Sequence, residues 1–363
     1  MRADPTIEAR SGEADTPATR LIPARVSHAA RAGSVYAALD LGTNNCRLLI
    51  AAPGPQNFRV LDSFSRIVRL GEGMGSADRL SEGAIGRTIE ALKICRDKIV
   101  ARRVDRARLV ATQACRAAVN VEEFLDRVRR EAGLSLEIVD QRTEATLAAA
   151  GCAALTHPRA SGVVMFDIGG GSTEIVWLAG GEGDAVAPAD VSARMRSWIS
   201  LPVGVVTLAE RFGGVDVTNA VFEAMVDEVE TSLQAFKRDA PEQPPPDRFH
   251  LLGTSGTVTT LAGVHLNLQR YERRRVDGLW MSARDLDVVV AKLLGMSFTD
   301  RAAQPCIGPE RADLVLAGCA ILEAIRRLFP SPRLRIADRG LREGILTQMM
   351  AEDGVLGARG RER

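Results

Sequence analysis

A chain of 363 residues, 46% hydrophobic and 26% charged, is long enough for two ordinary globular domains, and its composition excludes a disordered polymer. A formal net charge of +1 gives no global sign of a nucleic-acid partner, and no apolar run approaches the ~18 residues of a membrane span. Aromatic residues make up only 4%, so Val, Leu, Ile and Ala must fill the core.

Residues 1–33 are rich in Ala, Arg, Pro, Ser and Glu without a sustained period, and read as a flexible N-terminal extension. Asp4, Glu8, Glu13 and Asp15 argue against an organelle transit peptide, and no continuous hydrophobic segment marks a secretory signal. Order is expected from Ser34. An apolar run ending in Asp40, a polar turn Gly42-Thr43-Asn44 and a second run from Cys46 to Ala51 predict a hairpin. A third strand is expected near Phe58–Arg69, then a helix from Ser81, its N-cap, to about Ala101. Strands at Arg108–Thr112 and Ser135–Val139 alternate with helices at Asn120–Ala132 and Arg142–Gly151.

The pattern then restarts. Gly162–Asp167 is an apolar strand ending in Asp, Gly169-Gly170-Gly171-Ser172-Thr173 is a turn, and Glu174–Ala179 is the return strand. Repetition of the strand-Asp-turn-strand unit predicts two similar α/β halves facing each other. A loop is expected over 180–190, a helix over Asp216–Phe236 and a Pro-rich break over Ala240–Pro246. Phe249–Gly253 is a buried strand feeding Thr254-Ser255-Gly256-Thr257 and an apolar helix. Further helices are expected at Ser282–Gly295, Arg311–Leu328 and from Gly340 to about Met350, with a strand at Leu334–Ala337 between the last two. The implied domains are 34–158 with a closing helix 340–352, and 159–339, followed by a loose tail 353–363. Six scattered cysteines form no CxxC pair, so buried reduced thiols and a cytoplasmic setting are expected.

The turns carry the chemistry. A tight turn between strands lets backbone N–H groups converge on an anion, and Gly permits close approach. Asp40, Gly42, Thr43 and Asn44, with Arg47 beyond them, could form one such phosphate site; an ordinary hairpin turn would look the same. The triple glycine Gly169-Gly170-Gly171 with Ser172 and Thr173 is a stronger signal, because three ordered glycines are entropically costly. Asp167 and Glu174 bracket it, and carboxylates beside phosphate call for a cation between them; Mg²⁺, held by Asp167, Glu174 and Asp40, is the expected cofactor. Gly253, Ser255 and Gly256 open a helix whose N-terminus is a third anion site. Only four lysines appear, so positive charge is carried by Arg; its fork suits phosphate, but the excess reads first as the codon bias of a GC-rich genome.

These motifs in this order resemble the Ppx/GppA phosphatase family, the exopolyphosphatases and guanosine pentaphosphate phosphohydrolases. The resemblance rests on Asp40-Leu-Gly-Thr-Asn-x-x-Arg47, Val68-Arg69-Leu-Gly-Glu-Gly73, Ala111–Ala118 followed by Asn120, the Glu144-Ala145 pair, Asp167-Ile-Gly-Gly-Gly-Ser-Thr-Glu174 and Gly340–Gly344. It covers about 34–350 and implies an actin-like (ASKHA, ribonuclease H-like) duplicated fold with a central cleft. It further implies that Glu144 acts as base or orients the attacking water, that Arg116 neutralises charge on the transferred phosphoryl group, and that Arg69 contacts phosphate. From the residues alone, Glu144 reads first as a solvated helix glutamate. The implied substrate is inorganic polyphosphate, guanosine pentaphosphate or both, with no membrane or nucleic-acid partner; a homodimer is implied by resemblance alone.

Two positions depart from the family pattern. Thr143 stands where many members have a second acid before Glu144, and Ala337 where many have Ser. The chain resembles the short two-domain form, which puts high processivity in doubt. The basic run Arg270–Arg275 reads first as a solvated loop. Rival readings are a non-catalytic nucleotide- or alarmone-binding regulator and an ATP-dependent kinase of the same superfold.

Overall fold

The computed structural model describes residues 21–27, 33–54, 57–181 and 183–356. Residues 1–20 of the expected extension and 357–363 of the expected tail lie outside them.

Two six-stranded sheets carry the fold. The first contains β1 (Arg25–Ser27), β2 (Tyr36–Leu41), β3 (Asn45–Gly54), β4 (Asn57–Ile67), β5 (Arg106–Ala111) and β6 (Glu137–Ile138). β2, β3 and β4 form an antiparallel meander; β5 lies parallel to β2, and β6 parallel to β5. The second contains β7 (Gly162–Ile168), β8 (Thr173–Ala179), β9 (Met195–Leu201), β10 (Phe249–Thr254), β11 (Trp280–Ser282) and β12 (Arg333–Ala337). Here β7, β8 and β9 form the meander, β10 lies parallel to β7, and β12 parallel to β10. The halves therefore repeat one topology, the actin-like duplicated α/β fold, and Asp40 and Asp167 occupy equivalent strand ends.

Local chemistry fixes several helix starts where the sequence predicts them. Ser81 accepts from the Ala84 N–H to cap Glu82–Ala101, and Asp140 accepts from the Thr143 N–H to cap Gln141–Cys152. Ser282 and Asp285 form a reciprocal capping box on Ala283–Leu294. Three strands arise where the sequence analysis expects none. Residues 21–27 do not belong to a free extension: β1 pairs antiparallel with the edge of β5, and Arg25 ion-pairs with Glu137. β9 completes the second meander, and β11 covers the free edge of β12. The tail also begins later than expected. The Tyr36 hydroxyl donates to Asp353, which also ion-pairs with Arg106.

Each half has its own apolar core, and the helix Val315–Leu328 is buried on nearly every turn of the second. At about 1.5–3 kcal/mol for each large aliphatic side chain buried, such helices dominate the stability of a chain poor in aromatics. The two helices between the halves are exchanged. Gln141–Cys152, grouped by sequence with the first half, packs on β7, β8 and β9, whereas Leu341–Glu352 packs on β2 and β3. They cross with almost no separation. A Cβ on Gly151 would lie 2.0 Å from the Gly340 carbonyl oxygen, and one on Gly344 would lie 1.9 Å from that of Leu147. Among the described residues, no helix is long and apolar enough to cross a membrane.

Candidate active site

The β2–β3 and β7–β8 turns meet face to face. A Cβ on Gly170 would lie 3.0 Å from Asn44 Cβ and 3.1 Å from Thr43 Cβ, and one on Gly171 only 2.6 Å from Thr43 Oγ1. Any side chain at these positions would push the turns apart, which accounts for the glycine run. Both turns are braced from behind. The Asn44 carbonyl accepts from the N–H groups of Val68 and Arg69, and the Thr43 carbonyl from that of Gly71. The carbonyls of Gly169 and Gly170 accept from Val205 and Val206 at the start of the helix Val205–Phe212.

Around this contact lies a small cavity bounded by Asp40, Gly42, Thr43, Asn44, Arg47, Glu144, Asp167, Gly169, Gly170, Gly171, Ser172, Glu174 and Ser255. Most of the residues expected from sequence are thus brought together. Ser255 has φ 79°, the left-handed region that costs a non-glycine residue about 1–3 kcal/mol and clusters at functional sites. It lines the same cavity as the Asp167 carboxylate, whose proton affinity it helps to lower. Gly256 lines the adjoining space.

Four expected residues are placed elsewhere. Gly253 lies inside β10, where a Cβ would strike the Phe166 ring at 2.7 Å; it serves packing. Thr173 is buried and its hydroxyl donates to the Val203 carbonyl. Arg69 reaches across to the other half, making a two-pronged pair with Asp313 (3.1 Å each) and donating to the Glu310 carbonyl. Arg116 approaches the cavity through Glu144, donating to its carboxylate at 2.6 Å, to the Val139 carbonyl at 2.8 Å and to Gln113 Oε1 at 3.0 Å. Among the described residues, nothing accepts from the buried Arg116 Nε.

Four carboxylates share the cavity, and each holds its proton more tightly than usual. Burial raises Asp40, opposed by Arg47. Burial lifts Asp167 to about 6, again against Arg47. Burial, then the neighbouring Asp167, lifts Glu174 to about 7, while Ser172 and Ser200 donate to it. Glu144 is raised well above the ordinary range by burial and then by Glu174, with Arg116 opposing. Negative charge here exceeds its compensation. Asp40, Asp167 and Glu174 nevertheless do not converge as a chelate: among the described residues, no three His, Cys, Asp or Glu side chains are placed to hold a metal ion. Their hard, anionic oxygens do fit a Mg²⁺ whose shell is completed by water and phosphate.

The cavity opens into a channel of about 610 Å³ whose walls include Arg47, Arg311 and Arg342. Sequence reading did not single out Arg311 or Arg342; Arg342 lies in the closing-helix motif, whereas no local pattern marks Arg311. Burial, together with the nearby Arg47, makes Arg311 easier to deprotonate than usual. Its loop is held by Arg301, which is 2% exposed and donates to the carbonyls of Ala312, Met296, Gly214 and Val215.

Residues 49–353 match the Ppx/GppA phosphatase family. Exopolyphosphatase 2 of Mycobacterium tuberculosis is 31% identical over 304 residues, spanning 80% of this chain and 89% of that protein. The guanosine-5'-triphosphate,3'-diphosphate pyrophosphatase of Aeromonas salmonicida is 27% identical over 334 residues, 90% of this chain and 62% of the relative. Among solved structures, the Aquifex aeolicus member of the Ppx/GppA family is 30% identical, covers 88% of this chain and 98% of its own, and superposes with a TM-score of 0.71. An exopolyphosphatase from Cytophaga hutchinsonii shares the fold at 23% identity, covering 89% of this chain and all of its own, with a TM-score of 0.77.

Proposed function

Because the chain belongs to the Ppx/GppA phosphatase family, we propose that it hydrolyses the terminal phosphoanhydride bond of a phosphate-rich chain. Inorganic polyphosphate is the first substrate and guanosine pentaphosphate the second; both end in the same bond, and the relative matched over most of its own length is an exopolyphosphatase. The observation that carries the reading is the contact of Gly170 and Gly171 with Thr43 and Asn44 beside the Glu144 carboxylate.

In this reading the two turns hold the terminal phosphates with backbone N–H groups and the Thr43 and Ser172 hydroxyls. Arg47 pairs with phosphate oxygens from the channel side. Asp40, Asp167 and Glu174 would hold Mg²⁺ through water and phosphate, and the ion would screen charge on the terminal phosphates. Glu144 takes a proton from water as the water oxygen bonds to the terminal phosphorus and the bridging P–O bond breaks. The products are orthophosphate and a chain one phosphate shorter. A carboxylate whose proton affinity is raised by burial and neighbouring charge is suited to accept that proton. Arg116 holds Glu144 in place and would offset the charge that builds on the phosphoryl group.

Phosphate release is measured from purified protein with Mg²⁺ on polyphosphate, guanosine pentaphosphate and ATP, for the parent and Glu144→Gln. Release from either of the first two that collapses in the variant supports the reading. Tight binding without release, unchanged by the substitution, would leave the regulator.

A further inference from the structure

A second concavity lies at the opposite end of the second sheet, where β7, β10 and β12 begin. It is an open groove of about 1170 Å³ whose walls carry His157, Arg159, Arg248 and Arg333. At its edge the guanidinium groups of Arg333 and Arg335 lie 4.5 and 4.7 Å from the centre of the Trp280 ring. Among the described residues, none of these four arginines has a carboxylate within ion-pair distance, although Asp247 lines the same groove. Nothing among the described residues accepts from the buried Arg335 Nε. His157 Nδ1 accepts from the Arg159 backbone N–H, which leaves Nε2 to carry the ring's proton.

We propose that this groove is a second anion site, which takes a linear phosphate chain away from the catalytic cavity. Burial and then the cations Arg333, Arg159 and Arg335 make His157 harder to protonate, as expected where guanidinium groups crowd one groove. The neighbouring His250 is pushed down to about 4 by burial, with Arg333, His157 and Arg335 adding to it. An anion relieves both the repulsion and the unpartnered donors, and planar guanidinium forks match phosphate oxygens. Single-stranded nucleic acid calls in addition for aromatic faces on which bases stack. Among the described residues, no Phe, Tyr or Trp lines the groove, and Trp280 already stacks with guanidinium groups. The choice of an inorganic chain also rests on the proposed substrate; the existence of an anion site does not. A chain gripped here and at the catalytic end would gain from effective concentration, holding long substrates more tightly than short ones.

The test uses the whole chain carrying Glu144→Gln, titrated calorimetrically with long-chain polyphosphate and with tripolyphosphate. The groove is changed in two ways, as Arg159→Ser/Arg248→Ser and as that pair plus Arg333→Ser; the first leaves the Trp280 stack intact. The expected result is at least a tenfold loss of long-chain affinity and of one tripolyphosphate-binding class. Hydrolysis of tripolyphosphate by the same groove variants with Glu144 restored is expected to be unchanged. Unchanged binding in both variants overturns the site, and equal competition by a single-stranded oligonucleotide overturns the phosphate-chain assignment. Groove-dependent binding by a parent that hydrolyses no polyphosphate would sink the proposed function and leave the groove standing.

Discussion

Arg116 and Glu144 are bound to each other, Nη1 to Oε2 at 2.6 Å, and the same nitrogen reaches the Val139 carbonyl at 2.8 Å. The arginine that would meet the phosphoryl group is thus also the group that aims the glutamate. Arg116→Ala removes both roles. The rate should fall by about 10²- to 10³-fold. Because Arg116 lowers the proton affinity of Glu144, the acid limb of kcat/KM should also move to higher pH. A variant that loses rate with an unmoved limb would separate Glu144 from the proton transfer.

Gly170→Ala places a Cβ about 3 Å from Asn44 and Thr43 across the joint between the turns. Polyphosphate hydrolysis should fall at least tenfold while the melting temperature stays close to that of the parent. Loss of folding with no specific loss of activity would mark the joint as structural only.

Gly344→Ala tests the helix crossing. The added methyl would lie 1.9 Å from the Leu147 carbonyl oxygen, contact that rigid backbone cannot relieve. Destabilisation of about 1–3 kcal/mol or more is expected in denaturant melts. Gly86→Ala, in the helix Glu82–Ala101 with nothing within 4 Å, serves as the control and should be neutral or slightly stabilising.

The Arg69–Asp313 pair joins the halves, but its side chains are 30% and 26% exposed. Its contribution to stability is therefore expected below about 1 kcal/mol. Arg69→Ala should act on geometry instead, giving a larger radius of gyration in solution scattering and a higher KM. A large fall in melting temperature without expansion would contradict this.

Glu174 and Asp167 are raised to about 7 and 6 in the folded chain, above their unfolded values. The folded state then binds more protons between pH ~3.8 and ~7, so their contribution is complete below that window and is lost as pH rises through it. In metal-free protein, stability should decline over that range relative to Glu174→Gln, and Mg²⁺ should restore the parent. Identical pH profiles for parent and variant would refute it.

Most of the cavity was legible in the sequence because its chemistry is local: an Asp at a strand end followed by a glycine turn, written twice. The cap at Ser81 was legible for the same reason, whereas the cap at Asp140 emerged only in the structure. Pairings made over long separations were not. β1 gains its order from an edge of β5 many residues away, and β11 has three residues with no pattern of their own. Gly253 resembles a phosphate-loop glycine in sequence, yet the Phe166 ring is what excludes a side chain there. Arg69 stands in a family-like motif but its partner, Asp313, belongs to the other half. Arg311 neighbours Ala312, whose carbonyl Arg301 ties to those of Met296, Gly214 and Val215, an arrangement with no local signature.

The exchanged helices give the molecule an axle. Each sheet is covered by a helix whose chain belongs to its neighbour, so neither half separated at the linker retains its full covering, and a cut between them should yield fragments that fold only when mixed. Any opening of the cleft must turn about the point where Gly151 and Gly344 let the two helices touch. Glu144 sits about two helical turns from Gly151 on the same rod, close to the pivot, where a given rotation moves it least. The outer ends of the channel would swing furthest, so the passage could widen for a chain to thread while the reacting groups keep their spacing.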